Sequence, residues 1–214
     1  MNALISLAVR VQQLLDMTRH VDFLAPLLLR LYLVPVFWVA GTNKLGSIDS
    51  TIAWFGNPDW GLGLPLPALL AWLAALTETV GALLLLIGLG VRWVSIPLMV
   101  TMLVAAVTVH WRNGWQAVAD PQAPFPPADI ETAMERLQMA RSLLQEHGHY
   151  EWLTASGNFV ISNNGVEWAA TYFVMLLALF FTGAGRYASL DFWLRRRFAR
   201  RPNPGTHRAN ASGI

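Results

Sequence analysis

The sequence predicts an all-α membrane protein: a four-helix transmembrane bundle with an N-terminal interfacial helix and a helical extracytoplasmic insertion. Composition is the first reason. Of 214 residues, 55% are hydrophobic and only 13% charged, and the mean hydropathy of +0.42 is too apolar for an ordinary soluble domain. The second reason is four apolar stretches, Leu24 to Asn43, Leu66 to Leu89, Trp93 to His110 and Gly165 to Thr182, each near the roughly 20 residues that cross a bilayer as a helix. Cysteine is absent, which excludes a disulfide framework, iron–sulfur clusters and dithiol exchange carried by this chain.

The segment 1–23 places Leu4, Ala8, Val11 and Leu15 on one helical stripe with Arg10, Gln12, Asp16 and Arg19 between them, the pattern of a helix lying in the interface. It lacks a clean apolar core and a small-residue cleavage site, so it is expected to remain in the mature protein. The bundle follows over 24–192. Between its first two spans, Ile48 to Phe55 predicts a short helix ahead of the turn-rich GNPDWGLG. The cap, 111–164, holds the extended proline-rich DPQAPFPPAD. A helix should then bury Ile130, Met134, Leu137 and Leu144 on one face and stop at His147-Gly148. Residues 193–214 read as a basic, disordered cytoplasmic tail.

Orientation comes from arginine and lysine. With both termini and the Gly90 to Arg92 turn on one side, ten arginines lie there, from Arg10 and Arg19 to Arg208; Lys44, Arg112, Arg136 and Arg141 lie opposite. The termini are therefore expected in the cytoplasm and the long loops outside, in a cell inner membrane. The basic run at Arg195 to Arg201 fits anchoring to the bilayer better than nucleic-acid binding.

Glu78 is the residue this frame must explain, because an ionised carboxylate in an apolar span costs several kcal/mol unless something answers it. Depth counted at about 1.5 Å per residue puts Arg30 within a long side chain's reach of it. That pair reads either as a clamp between two helices or as the lining of a site for a polar head group, a quinone or a proton. A second polar layer, Lys44, His110 and Glu167, closes or opens three different spans at nearly one depth. It reads as a ligand or proton-relay layer, or as the polar residues that helix ends ordinarily carry. His147 and His149 are residue types that take copper, with Met134 and Met139 upstream; they are also ordinary loop histidines. Membrane haem is disfavoured, since only His110 comes near bilayer depth.

The order of these residues resembles the DoxX family of small four-helix membrane proteins. The likeness is carried by Arg30, Gly41 with Lys44, Glu78 with Gly81, then Gly88, Arg92, His110, the GNF at Gly157 to Phe159, Glu167, and GxGRYxSLD from Gly183 to Asp191. The segments VFWVAGTNKL, WFGNPDWGLGLPLPAL, TVHWRNGWQAVADP and LLQEHG resemble the HvfX-type branch, which accompanies copper-binding peptides made on ribosomes and then modified. The resemblance implies a quinone-linked or redox-partner role; a redox step coupled to a quinone would then run through these five residues, Arg30 and Lys44 holding carbonyl or anionic oxygens, Glu78 and His110 passing protons, and Glu167 completing the catalytic set. The leading reading is therefore an inner-membrane protein that assists maturation or handling of such a copper-binding peptide, with copper held through that partner on the outer face or weakly at His147 and His149. Two other classes remain open: a non-catalytic scaffold or assembly partner whose buried charges fix helix register, and a small proton-coupled exporter acting as a homodimer.

Overall fold

The computed structural model describes residues 2–198, and among these every regular element is helical. Helix α1 spans Asn2–Met17, followed by a 3-10 turn at Thr18–Val21. Then come α2 (Leu24–Gly46), α3 (Ile48–Gly56), α4 (Pro67–Ile87) and α5 (Val91–Ala105). Helix α5 continues through a π-helical turn, Ala106–His110, and a 3-10 turn, Trp111–Asn113. The remaining helices are α6 (Ile130–His147), α7 (Tyr150–Leu153), α8 (Glu167–Thr182) and α9 (Leu190–Phe198). An isolated antiparallel bridge joins Val118 and Ser162.

Among the described residues, three helices are long and apolar enough to cross a membrane: Leu24–Gly46, Pro67–Ile87 and Val91–Asn113. The fourth expected span is the apolar 16-residue α8. At 1.5 Å per residue it reaches about 24 Å, short of the roughly 30 Å hydrocarbon layer. Buried positions recur along each helix at intervals of three and four: Pro26, Arg30, Leu33, Phe37 and Gly41 on α2, and Ala71, Ala75, Glu78, Ala82 and Leu85 on α4. The other faces are apolar and exposed, as at Leu28, Leu31, Leu73, Leu76, Val80 and Leu83. Such surface is stable in lipid and not in water, so the helices make their inner contacts through one stripe and leave the rest to acyl chains.

The chain packs as two compact units. Of the described residues, one gathers those up to Gly46, Ala75–Ile96 and 177–198; the other comprises Ser47–Ala74 and Pro97–Leu176. In the second unit, the expected short helix after the first span is α3, and the insertion helix is α6, which ends at His147 with Gly148, in extended backbone, as its C-cap. Expected tail residues Trp193 to Phe198 are helical in α9. Residues 199–214, where the rest of the basic tail falls, lie outside the described residues.

Candidate functional site

Gly41 is what brings the first polar pair together. A Cβ there would run into Thr79 Oγ1 and lie 2.6 Å from the Thr79 backbone nitrogen and 3.0 Å from Ala75 O, so only glycine lets α2 approach α4 this closely. One turn further along α2, Lys44 Nζ reaches Glu78 Oε2 at 2.6 Å and also donates to Ala40 O at 3.4 Å. The Glu78 side chain is 5% exposed and that of Lys44 26%. The carboxylate is thus sealed into the helix contact, while the ammonium that answers it keeps an open side. Thr79 does not serve the pair; its hydroxyl donates back to Ala75 O at 2.8 Å.

The expected Arg30–Glu78 pair does not form. Arg30 is 1% exposed, and its guanidinium donates wholly to backbone carbonyls: Nε to Leu85 O at 2.7 Å, Nη2 to Leu86 O at 3.0 Å, and Nη1 to Ala184 O at 2.7 Å and Ala188 O at 3.1 Å. The reason is axial. Leu85 and Leu86 lie seven and eight residues beyond Glu78, about 10–12 Å along α4, and belong to the last turn of the helix, whose carbonyls have no partner within it. That end closes on Gly88 (φ +69°), with Leu89 N–H bonded to Leu84 O at 3.0 Å and Gly88 N–H to Leu85 O at 3.3 Å, a Schellman turn. A Cβ on Gly88 would lie 2.8 Å from Arg30 Cζ and 2.7 Å from Ser189 Cβ. Asp191 completes the knot, its two oxygens accepting from Gly90 N–H at 2.8 Å and Val91 N–H at 3.2 Å, which caps the start of α5.

His110 and Glu167 serve the second unit. His110 Nδ1 lies 2.8 Å from Asn164 O. Glu167 Oε2 accepts the Ala117 N–H at 2.9 Å, while its own N–H donates to Trp115 O at 2.8 Å. Gly165 and Val166 add bonds to Gln116 O and Gly114 O, so the two strands of chain entering and leaving the insertion are zipped together where α8 begins. Replacing Glu167 by alanine is expected to cost about 1.5–3 kcal/mol, the value of a hydrogen bond to a charged acceptor. Hydrogen exchange should speed up first at residues 115–118.

His147 and His149 end one helix and precede another; His147 Nε2 lies 3.7 Å from the adjacent, exposed Glu146. Among the described residues, no three histidine, aspartate or glutamate side chains converge as metal ligands would. The missed residues are Gly41 as the determinant of the pair and Asp191 as a cap. The first had a signal in sequence: Gly41 and Lys44 stand at i and i+3 on one face of the span.

With the arginine, glycine, lysine and glutamate of the first two spans placed, comparison with known proteins finds a likeness over this part of the chain. Residues 25–111 match the DoxX family. The matched segment contains Arg30, Gly41, Lys44, Glu78, Gly88 and His110, and stops where the long insertion begins. A Bacillus subtilis (strain 168) protein named "Putative oxidoreductase CatD" is 31% identical over 94 residues, 44% of this chain and 66% of that protein. The chain therefore spans just under two thirds of the curated relative's length. No solved structure matches it.

Proposed function

We propose that this DoxX-like membrane protein is a four-span inner-membrane subunit, with its termini in the cytoplasm, that serves a quinone-linked redox step at Lys44 and Glu78. The observation that carries this reading is the pairing of a sealed carboxylate with a partly open ammonium at 2.6 Å, on helices otherwise apolar. The donor set suits a quinone: a carbonyl oxygen needs a hydrogen-bond donor at the edge of the lipid phase, and reduction needs a proton carrier beside it. A quinone supplies a two-electron, two-proton acceptor, the electrons coming from a redox partner on the extracytoplasmic side. Lys44 Nζ would hold the carbonyl oxygen, and Glu78 would pass protons to the site. His110 and Glu167 would order the cap against which the partner docks. The long insertion, together with the branch resemblance, supports a modified copper-binding peptide as that partner, copper being held by the peptide.

Arg30 fits a structural role better than a cofactor-binding one, since its nitrogens are already spent on four carbonyls. Solubilised wild-type protein is expected to carry membrane quinone, detected by mass spectrometry of its organic extract, and Lys44→Met to lose it. In native membranes holding the partner, Glu78→Gln should lower turnover by about 10²-fold or more with folded yield unchanged. Wild-type turnover in Glu78→Gln would refute the proposal.

A further inference from the structure

Within the first unit, an open cavity of about 540 Å³ lies at the ends of the spans, between the start of α2, the start of α5, the end of α8 and α9. It lies apart from the Lys44–Glu78 pair and borders the carbonyl knot, with which it shares Ala184 and Asp191. Three arginines line it, Arg92, Arg186 and Arg195, with Asp22 and Asp191. Three arginines against two acids leave the lining net positive. Asp191 spends both oxygens on the backbone at Gly90 and Val91, and Asp22 meets Arg186 at 3.5 Å with both side chains about half exposed, a pair weak enough for a stronger anion to displace.

Arg92 is held in place by one nitrogen, Nε donating to Phe180 O at 2.8 Å, and by stacking over the Phe180 ring at 5.6 Å. Its two terminal nitrogens have no hydrogen-bond partner among the described residues, and neither has Arg195. A planar guanidinium fork fixed by its Nε edge is suited to the oxygens of a phosphate.

The geometry points to a binding site for the phosphodiester head group of an anionic phospholipid. A phosphate-bearing solute would offer the same oxygens, but the surroundings favour lipid. The cavity sits where apolar helices end and arginines begin. Phe181, 70% exposed, lines it, and Leu177, four residues earlier on the same helix, is also exposed, leaving an apolar path for an acyl chain along α8. Basic pockets between spans on the cytoplasmic side take such head groups.

Native mass spectrometry of the solubilised full-length chain tests this with phosphatidylglycerol, phosphatidylcholine and inorganic phosphate as probes. One phosphatidylglycerol should be retained in preference to phosphatidylcholine. Arg186→Gln with Arg195→Gln should weaken it about 25-fold, at roughly fivefold per arginine, while Arg10→Gln with Arg19→Gln, which removes the same charge elsewhere, should not. Equal retention of the two lipids, equal loss in the two double variants, or displacement of phosphatidylglycerol by millimolar phosphate would each overturn the assignment.

Discussion

Arg30→Met is expected to be the most damaging single substitution in the chain. Methionine fills much of the space but donates nothing, so the carbonyls of Leu85, Leu86, Ala184 and Ala188 lose their donor together. Buried carbonyls left unpaired cost about 1–3 kcal/mol each. Leu85 O keeps its bond from Gly88 N–H, so a loss of several kcal/mol is expected, against total stabilities of roughly 5–15 kcal/mol. Thermal unfolding of the solubilised protein should fall by about 10 °C or more, since each kcal/mol moves a chain of this size by roughly 2–4 °C. Arg30→Lys should recover only part of that, because an ammonium cannot span carbonyls on both sides as a planar fork does. A shift under about 3 °C for Arg30→Met would show that water or a rearranged loop satisfies these carbonyls.

Breaking the Lys44–Glu78 pair is expected to be costly from one side and mild from the other. Lys44→Met strands a carboxylate that is 5% exposed, and removing one partner of a buried pair costs about 3–5 kcal/mol. Glu78→Gln leaves an ammonium that is already 26% exposed and can extend toward the polar boundary, so it should cost well under half as much. Lys44→Met combined with Glu78→Met should regain most of the stability, because two apolar side chains replace a pair whose desolvation nearly offsets its attraction. Chemical denaturation of the single and double variants gives the coupling. The function should not return with the fold: a double apolar variant that is stable yet fully active in quinone-linked turnover would reduce the pair to a clamp.

The contrast between these two sites explains what the sequence revealed and what it withheld. Glu78 announced itself because a charge in an apolar run leaves a mark in one dimension, and the short helix at Ile48 and the insertion helix ending at His147 did so through periodicity and a stop signal. Glu78's partner was less visible. Placing Lys44 at the outer boundary by its Cα ignored a four-carbon stem that reaches back down the helix, and the glycine beside it that allows the approach. Arg30 could not be assigned from side chains at all, since its partners are main-chain carbonyls, which every residue carries. Two of them, at Ala184 and Ala188, come from the chain around Gly183, Gly185 and Tyr187, whose φ angles of +75°, +82° and +60° no spacing rule predicts. For His110 and Glu167, residue type pointed to a shared layer, whereas each is bound to the backbone around the neck of the insertion.

Amide carbonyls neither gain nor lose protons across the biological range, so a guanidinium anchored only to them holds its grip whether the medium beside it is acidic or alkaline. A carboxylate anchored to an amine has no such immunity. Along the same two helices, therefore, the chain carries one fastening that is blind to proton concentration and, a few turns away, one that can register it. A membrane protein that exchanged protons at Glu78 could do so without loosening the helix ends that Arg30 ties down.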